Sequence, residues 1–294
     1  MGRVKLTCVS LAFLAVVAPL TATADDVTVL TFNLRSRLDD PDRREPIIAA
    51  YLASVRPDVV LLQEVANVSG PDLTQAHRMA RVGGYEVSTC FNQKSERGLA
   101  VLSRFPIVDS VILTYAESDR PILGVTLNVR GRLVSVVDVH LTPAMELGSR
   151  RRGELDMALR LLADLPNGTL VAGDFNFGDG APESALLRPL VDAWRVVEPS
   201  APGHTWDHRN PLARKNSFPM EPSRRLDRIM LTESEPKVSA CRIVLDAPTA
   251  SGTWPSDHFG VLATLSFLEA NLAGAPSTRP AGADRPAAAQ APSH

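Results

Sequence analysis

A mixed α/β or α+β fold is what this sequence predicts, and two patterns predict it. Short apolar runs rich in Val, Leu and Ile recur at 27–32, 59–62, 99–102, 133–139, 170–172, 229–231 and 261–265, each with the length and composition of a buried strand. Between them lie amphipathic stretches, clearest at 43–55 and 150–165. There Ile47, Ile48, Tyr51, Leu52 and Val55, and then Leu155, Ala158, Leu159 and Leu162, return at helical spacing. Strand and helix patterns are mixed along the whole chain, which rules out an all-helical or an all-strand architecture.

The chain has 294 residues, 45% hydrophobic and 22% charged, with 31 basic against 33 acidic side chains. That is enough chain to bury a sizeable core without disulfide or metal staples. Collagen, coiled coil and wholesale disorder are excluded by composition. A formal charge of −2 gives no basic face that advertises a nucleic-acid or anionic-membrane partner, although local patches remain open.

The first 24 residues are not read as part of the fold. Arg3 and Lys5 precede an apolar run from Val9 to Leu20, and Ala22-Thr23-Ala24 offers small residues for cleavage, which together read as a secretory signal. The run is short for a membrane span, which needs about 20 residues, so no span is expected after cleavage; a short anchor is the rival reading. The chain then divides into a signal at 1–24, a folded domain at 25–270 and an Ala/Pro-rich tail at 271–294, expected to be disordered because it has little to bury. A secreted or periplasmic location follows. Beyond the signal stand Cys90 and Cys241, either as a disulfide or as two buried thiols.

Function is legible in the polar residues that close the strands. Asn33 follows Val-Thr-Val-Leu-Thr-Phe, Gln63-Glu64 follow Val-Val-Leu-Leu, His140 follows Val-Val-Asp-Val, and Asp174 and Asn176 follow Leu-Val-Ala-Gly. Strand ends along one sheet edge are where α/β folds present ligand-binding side chains. Singly, each has a plainer explanation: a turn for Asn33, a solvated acid for Glu64, a core histidine for His140, an Asx turn for Asp174 and Asn176.

As an ordered set they are harder to dismiss. Thr31-Phe32-Asn33-Leu34, Pro57-Asp58 through Gln63-Glu64, Gly98-Leu99-Ala100-Val101-Leu102-Ser103, Val139-His140-Leu141, Gly173-Asp174-Phe175-Asn176, Arg225-Leu226-Asp227-Arg228-Ile229 and Ser256-Asp257-His258 resemble, in order, the motifs of the DNase I-like endonuclease/exonuclease/phosphatase superfamily. The resemblance implies a four-layer α/β/β/α sandwich with two mixed β-sheets. It also implies hydrolysis of phosphate esters with a divalent cation, usually Mg²⁺, with Mn²⁺ or Ca²⁺ also compatible with oxygen ligands. By the same resemblance Glu64 is the principal metal ligand, with the Asn33 amide and Asp257 beside it. Asp174 orients or deprotonates the attacking water, Asn176 donates to a phosphate oxygen, and His258 faces the phosphate with Asp227 holding its ring. His140 is the second histidine of the site, and Glu96 is placed to orient it.

Arg35 departs from the pattern of DNA-repair relatives, which counts against an abasic-site repair role. Thr205-Trp206-Asp207 lies between the Asp174 and Asp227 motifs. Trp206, Arg224 and Arg225 are the candidate substrate contacts, with a solvated surface loop as the alternative. Trp254 is read as packing. The expected activity is a secreted, monomeric phosphodiesterase whose substrate is a nucleic acid, a phospholipid or a small phosphoester such as an inositol phosphate. The other class of reading is a noncatalytic secreted binding module on the same fold.

Overall fold

The computed structural model describes residues 26–67, 74–92, 96–215, 221–232 and 236–267; the signal segment and the tail expected from the sequence lie outside the described residues. In chain order the elements are β1 (Asp26–Asn33), α1 (Pro41–Val55), β2 (Val59–Ala66), α2 (Gln75–Gly83), β3 (Glu86–Phe91), β4 (Arg97–Ser103), β5 (Ile107–Tyr115), β6 (Arg120–Val129) and β7 (Arg132–His140). They continue with α3 (Gly148–Asp164), β8 (Gly168–Asp174), β9 (Val191–Asp192), α4 (Ala193–Val197), α5 (Pro211–Arg214), β10 (Asp227–Leu231), β11 (Lys237–Val244) and β12 (Gly260–Ser266).

The strands form two six-stranded sheets, ordered β11-β12-β1-β2-β4-β3 and β5-β6-β7-β8-β10-β9. Both are mixed. β1 and β2 run parallel across the α1 crossover, β7 and β8 run parallel across α3, and the other pairings between strands are antiparallel. Strand alternation then sorts the apolar residues. Val29, Leu61 and Val101 of the first sheet face Val125, Val136 and Ala172 of the second in one core. The opposite face of the first sheet packs Leu30, Val60 and Leu102 on Ile48 and Leu52 of α1 and Met79 of α2. The opposite face of the second packs Val137, Val139 and Val171 on Leu155, Ala158 and Leu162 of α3. The layers are therefore α/β/β/α, as expected.

This connectivity puts the strand ends of interest on one rim. In the second sheet His140 lies opposite Asp174 and Asp174 opposite Asp227, so three motifs distant in sequence become neighbours. Gly173 is required at its position: its φ is +141° and a Cβ there would sit 2.0 Å from the Val139 carbonyl oxygen, so only glycine lets β8 close on β7 ahead of Asp174.

Cys90 and Cys241 are both free and buried. They lie on β3 and β11, the opposite edges of one sheet, separated by five strand spacings of about 4.8 Å each, far beyond disulfide reach. Burial pushes both thiols up to about 12. Among the described residues no helix is long and apolar enough to cross a membrane.

Candidate functional site

A cleft of about 430 Å³ opens at the shared rim of the two sheets, and Glu64, His140, Asp174, Asn176, Trp206, Arg224, Asp257 and His258 line it. Its centre is the Asp174 carboxylate. Oδ2 accepts from Asn33 Nδ2 at 3.0 Å, while Oδ1 accepts from the Asn176 backbone N–H at 3.0 Å. Nε2 of His140 stands 3.6 Å from Oδ2 and Nε2 of His258 3.7 Å from it. Behind His258, its Nδ1 is 2.8 Å from Oδ2 of Asp227.

Burial and charge divide the two histidines. His140 is pushed well below the ordinary imidazole value, first by burial and then by the positive charges of Arg120, His258 and Arg97, so its ring is neutral near neutral pH. Burial also acts downward on His258, but Asp227 and Asp174 outweigh it and hold the ring protonated well above the ordinary value. Burial raises the Asp174 carboxyl, opposed by His258 and by the Asn33 hydrogen bond.

Glu64 owes its direction to a β-bulge. Leu62 pairs with Ala100 and Val65 with Gly98, so Gln63 and Glu64 together oppose Leu99. Glu64 itself has φ +51°, a strained conformation for a non-glycine residue, and the bulge turns its side chain into the cleft. Arg97 Nη1 donates to Glu64 Oε2 at 2.9 Å. Asp257 is paired with Arg35, and the Asn33 Oδ1 accepts from the Arg35 backbone N–H at 2.9 Å.

Two donor sets bear on a metal. Asp174, Asp227 and His258 each offer a ligand atom within 4.8 Å of the others, a mixed carboxylate and imidazole set. Glu64 and Asp257, with the Asn33 amide oxygen, supply only oxygen atoms, the chemistry that suits a hard divalent cation.

The Thr205-Trp206 segment is a strap rather than a solvated loop. Trp206 exchanges backbone hydrogen bonds with Arg224 and also bridges to His258. Thr205 Oγ1 accepts from the N–H groups of Leu226 and Asp227 at 3.0 Å each, and its carbonyl accepts from Phe259 N–H at 2.7 Å. The indole is 2% exposed, with the Arg224 guanidinium 5.9 Å above its ring, so Trp206 shapes the wall and pairs with His258 while Thr205 holds Asp227.

Other residues fall elsewhere. Arg225 is buried outside the cleft lining and binds Asp179 and Asp192. Glu96 is exposed and lies outside the lining. Arg224 lines the cleft, paired with Glu221. Trp254 stacks on Phe259 with centroids 6.0 Å apart.

Two arginines that sequence reasoning missed matter here. Arg120, on the cleft wall, donates to the His140 carbonyl oxygen at 3.0 Å, and among the described residues no carboxylate lies within ion-pair distance of it. Arg44, 1% exposed, donates to the carbonyl oxygens of Leu34 (2.8 Å), Ser36 (2.9 Å), Asp39 (2.9 Å) and Pro255 (3.0 Å). It ties the loop after β1 to the segment carrying Asp257 and His258. Neither position follows a strand-end motif: Arg120 begins a strand and Arg44 sits among the charged residues of α1, so no local signal marked them.

A model of the Endonuclease/Exonuclease/phosphatase family matches residues 30–258. The chain belongs to this family. It is 26% identical over 255 residues to tyrosyl-DNA phosphodiesterase 2 of Xenopus laevis, covering 82% of this chain and 67% of that protein. It is 25% identical over 254 residues to the Homo sapiens protein of the same name, covering 82% and 68%. Among solved structures, D. rerio TDP2 complexed with a single-strand DNA product superposes with a TM-score of 0.69 at 21% identity, covering 82% of this chain and 99% of that one. An endonuclease/exonuclease/phosphatase from Bacteroides vulgatus does so at 0.65 and 19%, covering 83% and 99%. Both share the four-layer sandwich.

Proposed function

We propose that the protein is a divalent-metal-dependent phosphodiesterase that hydrolyses a phosphate ester by attack of water. The observation that carries this is the Asp174 carboxylate, held by Asn33 and Asn176 and faced by the Nε2 atoms of His140 and His258 at 3.6 and 3.7 Å. Membership of the family and the phosphodiesterase names of the tyrosyl-DNA relatives support it.

Glu64 would hold the metal, with Asp257 and Asn33 beside it, and Mg²⁺ is the ion proposed, Mn²⁺ or Ca²⁺ being tolerated by the same oxygen chemistry. When bound, such an ion polarises a phosphoryl oxygen as a Lewis acid. The chain's own residues do the rest. Asp174, its geometry set by two N–H donors, orients a water and takes its proton. His258, charged and backed by Asp227, donates to the phosphoryl oxygens as negative charge gathers there. His140, neutral and with Nε2 3.6 Å from Asp174 Oδ2, would relay the proton that Asp174 takes from the water to the leaving-group oxygen, so that both groups end as they began. Asn176 gives one amide hydrogen to the Leu141 carbonyl at 2.8 Å and keeps the other for a phosphate oxygen. Arg120 and Lys215 line the same cleft and offer cations to a phosphate-bearing substrate.

The substrate class proposed is nucleic acid, following the tyrosyl-DNA name of the relatives and the single-strand DNA product held by the D. rerio structure. We also propose export of a monomeric mature chain that begins near Asp25, on the signal-like residues Arg3 to Ala24. The test is turnover of an aryl phosphodiester by the purified protein with Mg²⁺ and with chelator, followed by single-stranded DNA with a 5′-tyrosyl adduct, RNA, sphingomyelin and inositol phosphates. Chelator-sensitive turnover with preference for the DNA adduct is expected. Turnover of no ester in the presence of Mg²⁺ or Mn²⁺ overturns the reading, and N-terminal sequencing of exported protein tests the cleavage.

A further inference from the structure

Beneath the cleft floor a hydrogen bond joins the two sheets. Gln63 of β2 and Asp138 of β7 are both 0% exposed, and Gln63 Nε2 donates to Asp138 Oδ1 at 2.7 Å. The same amide nitrogen lies 3.1 Å from Thr31 Oγ1 and 3.2 Å from the Leu61 carbonyl oxygen, so the arm is tethered to its own sheet before it reaches the other. Asp138 Oδ2 is buried with no hydrogen-bond partner. A polar bridge with one unmet oxygen, set inside an otherwise apolar layer of Val, Leu and Ile, is costly for the fold alone.

Its placement supplies a reason. Gln63 immediately precedes Glu64 at the bulge, and Asp138 lies two residues before His140 on the same strand face. We propose that the Gln63–Asp138 bridge is the strut that sets Glu64 of one sheet against His140 of the other, so that Gln63 and Asp138 are positioning residues for metal and phosphate. This deepens the phosphodiesterase reading of the cleft and rests on it.

Burial drives the Asp138 carboxyl well above the usual carboxylate range, against the hydrogen bond from Gln63. A neutral carboxyl is matched in shape and acceptor oxygen by an amide. Asp138→Asn therefore keeps the bridge, whereas Asp138→Leu and Gln63→Met remove it.

The experiment measures Mn²⁺ binding by electron paramagnetic resonance alongside kcat and KM on the aryl phosphodiester, with circular dichroism to establish folding. Loss of an outer partner of a metal ligand costs about 10–100-fold in affinity or activity, so Gln63→Met and Asp138→Leu are expected to weaken Mn²⁺ binding by that factor and to lower kcat more than they raise KM. Asp138→Asn is expected to stay close to wild type. The double variant Gln63→Met/Asp138→Leu separates positioning from packing. Two apolar side chains in place of a buried polar pair are expected to return thermal stability without returning Mn²⁺ affinity.

Folded Gln63→Met and Asp138→Leu proteins with wild-type Mn²⁺ affinity and kcat would overturn the proposal, as would an Asp138→Asn protein as impaired as Asp138→Leu. If Gln63→Met does not fold, Gln63→Asn, which shortens the arm by one methylene, carries the same comparison. Failure of the underlying reading looks different: the wild-type protein itself then turns over no ester.

Discussion

At the scale of single residues, the cleft gives each of the proposed catalytic groups Asp174, His140 and His258 neighbours that shift its proton affinity. Asp174→Ala and His258→Ala are expected to lower kcat on an aryl phosphodiester by about 10²–10⁴-fold, the usual worth of a proton-transfer group. Full activity in either variant would contradict the assignment. Arg120 carries a different expectation. Its guanidinium faces the cleft and, among the described residues, donates to the His140 carbonyl oxygen and pairs with no carboxylate, so it is available to an anion. A charge-assisted hydrogen bond contributes about 1.5–3 kcal/mol; Arg120→Ala is expected to reduce kcat/KM by roughly 10–100-fold, mostly through KM, and Arg120→Lys to recover only part because a point charge lacks the planar fork. Away from the cleft, burial raises Asp179, but hydrogen bonds from Arg225 and Arg228 outweigh it and hold the carboxyl well below the usual carboxylate range. A depressed carboxylate stabilises the fold fully above its unfolded value, about pH 4, and loses that contribution as pH falls through the folded value. Asp179→Asn is therefore expected to melt below wild type at pH 7, the gap narrowing toward pH 2; a gap that widens in acid would reverse the sign.

Among the elements, most interior strands and the two longest helices were legible, and the edge strands were not. β1, β2, β4, β7, β8, β10 and β12 coincide with the seven apolar runs, and α1 and α3 with the two amphipathic stretches. β3, β5 and β11 were missed because they are edge or near-surface strands in which exposed residues interrupt the apolar ones, as in Ile107–Tyr115. β6 was missed for another reason. Pro121 and Gly124 break its pattern, yet Gly124 lies where a Cβ would come within 2.9 Å of the Leu165 side chain, so the glycine that obscures the strand is the one that lets α3 approach it. The motifs at strand ends were readable for a related reason: they sit where a buried run stops, a boundary visible in sequence. Arg225 shows the limit. Next to Arg224 in sequence, it points into the Asp179–Asp192 pair instead of the cleft, and alternation along an extended segment separates the two. The loop after β1 depends on Arg44 in the same non-local way. Arg35, Ser36, Asp39 and Asp40 all have positive φ, and the guanidinium holds the carbonyls of this strained segment. Arg44→Met leaves those acceptors without a donor; taking roughly 3 kcal/mol for the loss and 2–4 °C per kcal/mol at this size, the melting midpoint is expected to fall by about 6–12 °C. A calorimetric midpoint unchanged within 2 °C, with activity retained, would show that the loop does not need it.

On the scale of the whole molecule, the cleft belongs to neither half of the sandwich. Asn33 and Glu64 come from one sheet and His140, Asp174 and Asp227 from the other, so the site exists only while the inter-sheet core keeps the two together. The two cysteines report on that core directly, since both belong to it. Their thiols, pushed up to about 12 by burial, carry almost no reactive thiolate at pH 8 and are screened from reagent. They sit on the two outermost strands of one sheet, so reaction at both requires the sandwich to open across its full width. In a protein carrying Cys8→Ser, Cys90 and Cys241 are expected to be silent toward an aromatic disulfide reagent in buffer. In rising denaturant they should become reactive together, with one midpoint that coincides with the loss of phosphodiesterase activity, because the opening that admits reagent also separates Glu64 from His140. Reaction of one thiol in native conditions, or two distinct midpoints, would mean that an edge strand detaches while the site remains assembled, and the unity of core and cleft argued from the topology would be lost.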